Sequence, residues 1–390
     1  MTGATAHARA AVTTIFVLNG FLFGSWAARI PAVKERLGVG EGGLGLVLAG
    51  IAIGALVAMP VAGWCSARAG SRSTTRIGLA AACVVVPVPS LCTSPVPAFA
   101  ATLAFGVAMG FLDVSMNAHG VAVERRRGRP ILSSFHAGFS GGTLLGALTG
   151  AAAAGAGLDV RLHLLLASLL SAAVGLVAAA HLLPASADVA AGDEPLFVRP
   201  PRRLWALGAI GFCCLLAEGS AGDWSAVYVD ESLGASAATA ALAFSCFAVA
   251  MTLGRLVGDR LTERFGEVRL VRGGGLLGGG GLLAALLIGA PAAAFAGFLC
   301  LGLGLAAMVP TVFRGAGSVP GLPPGVGLAA VSTLGYTGFL VGPPLIGALA
   351  EATSLPLALG FVCLCCAVVV VLAGAARPAA PLPAPPLVRV

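Results

Sequence analysis

The chain is poor in charge. Only 10% of its 390 residues are Asp, Glu, Lys or Arg, where a soluble domain carries about 25%. With 58% apolar residues and a mean hydropathy of +0.98, a soluble enzyme or binding module is excluded and a polytopic membrane protein is expected. Lysine is nearly absent, Lys34 standing alone beside 22 arginines. The net charge of +7 therefore consists of arginines flanking apolar runs, and no nucleic-acid partner is expected. Also missing are a paired-His metal pattern, a phosphate-binding loop and a Ser/His/Asp constellation, and the cluster Cys363-Leu364-Cys365-Cys366 is embedded in a lipid-length apolar run. The ten cysteines lie almost wholly inside apolar segments, as small buried residues do. No cofactor or metal is expected.

What the chain does have is long apolar runs. Twelve segments can be drawn, at 10–28, 43–65, 76–92, 96–123, 131–154, 162–183, 204–227, 235–257, 270–290, 292–313, 325–349 and 355–375, each near the ~20 residues a spanning helix needs. The first has small residues around Trp26, as a signal peptide would, but it recurs in altered form later and reads as a retained helix. Nineteen of the 23 basic residues fall on one side if the N-terminus is inside, which places both termini in the cytoplasm. Residues 1–183 and 204–376 read as two six-helix bundles. A polar cytoplasmic linker at 184–203 joins them, and a proline-rich tail at 377–390 reads as disordered.

The fourth segment holds an acid near its middle. Gly106, Gly110, Asp113, Asn117, Gly120 and Glu124 recur at helical spacing on one stripe. Intramembrane acids are costly and normally face a bundle interior or a water-filled cavity. Asp113 and Glu218 are the acids nearest mid-membrane and the candidates for carrying a proton. Asn19, Phe23 and Trp26 share a face of the first helix. His136 and Ser140 lie opposite the Gly138, Gly142, Gly146 stripe of the fifth, and Tyr336 sits at the matching place in the eleventh. With Asn117 these are the candidates for substrate contact. His119, six residues past Asp113, points elsewhere and forms no relay with it.

The two halves repeat. Gly24-Ser25-Trp26-Ala27 ends the first helix and Gly222-Asp223-Trp224-Ser225 the seventh. Gly63-Trp-Cys-Ser-Ala67-Arg68-Ala-Gly70-Ser-Arg72 follows the second, and Gly254-Arg255 with Gly258-Asp259-Arg260 and Phe265-Gly266 follows the eighth. A repeat of about 195 residues with the same topology fits two parallel six-helix halves.

Over nearly its full length the chain resembles major facilitator superfamily transporters. The loop after the second helix resembles the family's Gly-x-x-x-Asp-Arg-x-Gly-x-Arg signature, with Gly258-Asp259-Arg260 as its second-half echo. Asp113-Val-Ser-Met-Asn117 and Gly222-Asp223-Trp224 resemble fucose-permease-like bacterial permeases of unassigned substrate. The resemblance implies an all-α fold of twelve transmembrane helices in two pseudo-symmetric bundles, with helices 1, 4, 7 and 10 lining a cavity and 3, 6, 9 and 12 facing lipid. It implies a conformational latch at Gly63, Arg68, Gly70, Arg72, Gly258, Asp259 and Arg260. Two departures stand out: the signature's acid is Ala67 here, and the fifth helix lacks the Gly-Pro-x-x-Gly-Gly pattern of drug/proton antiporters.

The expected protein is a secondary active transporter of a small polar or amphipathic solute, working by alternating access and coupled to protons. It is expected to be a monomer in the lipid bilayer of the bacterial inner (plasma) membrane, with both termini cytoplasmic. An uncoupled facilitator or an efflux permease shares these features. A membrane-embedded acyltransferase using His119 or His136 with Asp113 is the rival from another class, disfavoured because one active site gives no reason to duplicate hinge motifs. A non-transporting sensor would keep the fold.

Overall fold

A computed structural model describes residues 3–39, 41–184, 201–235 and 237–377. Most of the expected central linker and of the proline-rich tail lies outside the described residues. Spanning segments must satisfy their backbone hydrogen bonds internally, so apolar runs of this length become helices. They are α1 (Gly3–Ala27), α2 (Glu41–Ala69), α3 (Ser71–Val85), α4 (Pro95–Arg127), α5 (Leu132–Gly155), α6 (Val160–Ala180), α7 (Arg202–Val227), α8 (Ala237–Phe265), α9 (Glu267–Ile288), α10 (Pro291–Ala316), α11 (Pro324–Ala352) and α12 (Leu355–Leu372). Ten of these segments, α3 counted with the 3₁₀ turn after it, are long and apolar enough to cross a membrane, and α5 and α8 bring those of spanning length to twelve among the described residues.

Several boundaries move. α8 continues to Phe265 rather than stopping at 257, and α2 runs to Ala69. α10 is interrupted at Ala306-Ala307, leaving Met308–Ala316 as a separate helix. α11 stays helical through Pro343-Pro344, and a short helix, Ile30–Leu37, follows α1. Asp159 caps α6 by accepting from the Arg161 backbone N–H at 2.8 Å, and the Arg161 side chain holds its carboxyl down to about 2.

The pairing of helices carries the duplication. α1 packs on α5 as α7 packs on α11, and α2 packs on α4 as α8 packs on α10; α2 meets α11 and α5 meets α8 between the halves. Lipid tails are as apolar as leucine, so close backbone approach has to hold these pairs. Glycine supplies it. A Cβ on Gly142 would sit 2.1 Å from the Val17 carbonyl oxygen, and one on Gly20 2.1 Å from that of Phe139, so α1 and α5 interlock reciprocally. In the second half a Cβ on Gly338 would come within 2.3 Å of the Phe212 carbonyl oxygen. The loops that resemble the family signature also repeat in backbone: Gly70 stands at φ 77, ψ 149 before α3 and Gly266 at φ 78, ψ 157 before α9. That region admits essentially glycine alone.

Candidate functional site

Groups from both halves meet at mid-height. Asp113, the nineteenth of the 33 residues of α4, is half-buried. The Tyr336 hydroxyl of α11 donates to its Oδ2 at 3.4 Å, and Asn117 Nδ2, one turn on, donates to its Oδ1 at 3.2 Å and to its backbone oxygen at 2.9 Å. The donors in contact with this carboxyl are uncharged. Met59, Ala55, Ala62, Val114 and Ala329 form an apolar cluster around this level, with Phe111 and Tyr336 packed against it.

The second polar group is built on α5, α7 and α8. Arg255 Nη2 lies 3.5 Å from Glu218 Oε1, and Arg255 Nη1 donates to Ser140 Oγ at 2.8 Å. The side chains of Arg255 and Glu218 are 10% and 25% exposed, so the pair is largely desolvated. Arg255 Nε has no partner among the described residues. His136 sits one turn before Ser140, its ring 5.4 Å from Phe16 and 5.9 Å from Phe313, with Nε2 unpartnered among the described residues. Asn19 of α1 is buried, donates to Met116 Sδ at 3.7 Å and leaves its Oδ1 unpartnered among the described residues. Phe23 is 39% exposed.

Trp26 differs from the expectation for it. Its ring is buried edge-on against Phe105, at 5.6 Å, so it belongs to the packing of α1 on α4 rather than to a solute-facing wall. Arg255 is the residue the sequence reading missed. It was grouped with the arginines flanking the membrane, but α8 runs ten residues beyond it, about 15 Å of helix. Its signal was available, since it precedes Asp259 by one turn in a helix that does not break at 257. His119, by contrast, is structural. Its Nε2 accepts from the Leu183 N–H at 3.1 Å, so Nδ1 carries the proton and donates to Ser71 Oγ at 2.7 Å.

From this level to the arginine-rich end the halves are closed against each other. Asp259 accepts from the Ser133 N–H at 3.0 Å and the Ser134 N–H at 2.8 Å, taking two amides of the first turn of α5. Glu124 accepts from Ile131 N–H at 2.7 Å and Leu132 N–H at 3.0 Å. Two carboxylates, one from each half, thus satisfy four amides that a helix start leaves open, where the helix dipole favours negative charge. Arg314 binds Glu124 across the halves with Nε and Nη2, reaches Glu267 at 3.3 Å and lies 3.8 Å from Asp259. Arg129 makes a two-pronged pair with Glu263, and Arg125 donates to the Gly317 carbonyl.

The first-half loop makes a different seam. With Ala67 in place of an acid, α2 meets α11 through backbone: a Cβ on Gly63 would lie 2.3 Å from Ala329 Cβ, and one on Gly325 2.8 Å from the Gly63 carbonyl oxygen. Arg72 donates to the Ala180 carbonyl within its own half, Arg68 stacks over Trp64, and Arg260 is exposed. Among the residues expected to latch the halves, Gly63, Gly258 and Asp259 make contacts across them, Gly258 against Ser133.

A family model described as Major Facilitator Superfamily matches residues 12–322 and, separately, 207–389. An uncharacterized MFS-type transporter from Yersinia pestis is 37% identical over 349 residues, 90% of either chain. Membrane protein MosC from Rhizobium meliloti is 33% identical over 358 residues, 90% of this chain and 86% of MosC. Among solved structures, a variant of the Escherichia coli fucose:proton symporter FucP superposes with a TM-score of 0.77 at 16% identity, covering 95% of this chain and 98% of the symporter. The human organic anion transporter MFSD10 gives 0.77 at 17% identity over 95% and 99%.

Proposed function

From membership of the major facilitator superfamily, to which this chain belongs, we propose that it is a secondary active transporter of a small polar or amphipathic solute, working by alternating access and driven by protons through Asp113. Superfamily members are transporters, which sets aside the acyltransferase reading. The solute meets Asp113, Asn117 and Tyr336 on one side of the interior space and Glu218, Arg255 and Ser140 on the other. The protein works as a monomer in the inner membrane with both termini cytoplasmic. The arginine-rich end is then the cytoplasmic one, and the described state is closed on that side.

The observation that carries proton coupling is the setting of Asp113: an intramembrane acid whose contacts, Tyr336 and Asn117, are uncharged donors from α11 and α4. Apolar surroundings favour the neutral form of a carboxyl group and water favours the charged one. A carboxyl at the meeting point of the halves therefore takes a proton when the space is dry and gives it up when water enters. Glu218 differs in its setting, with the Arg255 guanidinium 3.5 Å away.

Asp113→Asn keeps shape and polarity and cannot titrate. In vesicles the variant is expected to exchange solute across the membrane and to lose accumulation against a gradient when a pH difference is imposed. Accumulation equal to the parent's would overturn the assignment and move the test to Glu218. An uncoupled facilitator would show no pH-driven accumulation in the parent either.

A further inference from the structure

The two halves differ on their lipid-facing sides. In the second half α9 and α12 are seated against each other: a Cβ on Gly279 would lie 2.6 Å from Cys366 Cβ, and one on Gly275 3.0 Å from the Cys366 carbonyl oxygen. The pseudo-equivalent pair in the first half is α3 and α6. There only Gly175 allows close approach, to the side chain of Leu79. Beside that contact α3 and α6 part to leave a groove of about 680 Å³, lined by Leu79, Ala80, Cys83, Leu169, Ala172 and Leu176 among others. That volume is in the range of small-molecule sites, and its walls are almost wholly apolar.

One end of the groove is basic. Arg76 lines it, with Nε and Nη2 donating to the Ala179 carbonyl at 3.0 and 2.7 Å; Arg72, one turn earlier on α3, donates to the Ala180 carbonyl at 3.4 Å. These bonds hold both guanidinium groups over the last turn of α6. A guanidinium has five N–H donors, so Arg76 keeps donors for an outside acceptor. His7 and His181, their rings 5.8 Å apart, stand in an adjoining groove between α1 and α6. α1, α3 and α6 contain no Asp or Glu. Among the described residues, the formal side-chain charge that the walls of the groove carry is the positive one of Arg76.

We propose that this groove is a binding site for an anionic phospholipid, with an acyl chain along α3 and α6 and the phosphate at Arg76 and Arg72. Basic pockets between transmembrane helices at the membrane surface recognise anionic headgroups in this way. The apolar volume supplies the tail site and the arginines the headgroup site, and among the described residues α1, α3 and α6 contribute no carboxylate to compete for the guanidinium groups.

Native mass spectrometry of the full chain, released from micelles holding equal amounts of phosphatidylglycerol and phosphatidylcholine, tests this. Retained adducts should favour phosphatidylglycerol, and Arg76→Gln should cut that preference roughly fivefold, the weight of one arginine toward an anionic surface. Ala80→Phe, which fills the groove from its exposed wall while leaving both arginines, should reduce adducts of either lipid. If Arg76→Gln does not fold, Ala80→Phe decides alone: adduct numbers equal to the parent's would place the lipid elsewhere. Equal retention of the two headgroups by the parent, or a preference unchanged in Arg76→Gln, would equally overturn the site.

Discussion

Replacing Asp259 with asparagine strikes the seam between α5 and α8 at its charged contact. Asp259 accepts two backbone N–H groups from the opposite half, and its side chain is 15% exposed. Asparagine retains one oxygen for one of these amides and turns an NH₂ toward the other, donor against donor. One charge-assisted hydrogen bond, worth about 1.5–3 kcal/mol, is lost and the other falls to a neutral bond of about 1 kcal/mol. The favourable placement of a full negative charge at the start of α5, about 0.5–1 kcal/mol, goes with them. In the open state Asp259 meets water and the nearby Arg314, so part of this is returned. A net weakening of the closed state of about 1.5–3 kcal/mol remains, a shift of roughly 10- to 150-fold in the closed-to-open ratio. Hydrogen exchange with residue-level fragmentation reads it directly. The Ser133 and Ser134 amides should exchange faster by about that factor, while Ile131 and Leu132, held by Glu124 of their own half, change far less. Equal acceleration of all four would mean that the helix start frays and the halves stay closed. No acceleration would remove Asp259 from the seam's energetics.

Other perturbations have equally definite outcomes. Arg255→Gln leaves Glu218 without its cation and should lower the unfolding temperature more than Glu218→Gln does, with the double variant recovering part of the loss; additive effects would contradict the pair. Gly142→Ala forces a Cβ to within 2.1 Å of the Val17 carbonyl oxygen and should cost about 1–3 kcal/mol or prevent folding, whereas Gly141→Ala, with open space around it, should be neutral by thermal unfolding in detergent. Reporter domains fused after Pro195 and after Arg377 should both report cytoplasm, following the arginine bias, and a periplasmic signal at either would reverse the orientation.

Much of this architecture is legible without coordinates, because hydrocarbon leaves the chain few options. Long apolar runs must be helices, and the recurrence of Gly-x-Trp ends and of the Gly70 and Gly266 loops discloses a duplication. Asp113 and Glu218 stand out because acids are rare there. Contacts between positions about two hundred residues apart are not legible. Nothing in the order of residues says that Glu124 meets Arg314, or that Tyr336 reaches Asp113. Arg255 is hidden for a local reason: arginine and glycine look like a helix end, yet Gly254 and Gly258 are there for packing against Ala306 and Ser133. For Trp26, spacing fixes a face of a helix and not what covers it, and Phe105 covers it.

The interlocked glycines have a mechanical consequence. Where α1 and α5 touch through backbone, each carbonyl lies in a notch one residue long, with Gly20 facing Phe139 and Gly142 facing Val17. An axial slip of one residue, about 1.5 Å, would carry those oxygens onto residues that have side chains, so the pair resists shear along its length. α7 and α11 are notched at Gly338, whose Cβ position lies 2.3 Å from the Phe212 carbonyl oxygen. Each half is thereby stiff against sliding between its own helices, and displacement of one half against the other is left to tilt and rotation about the seams.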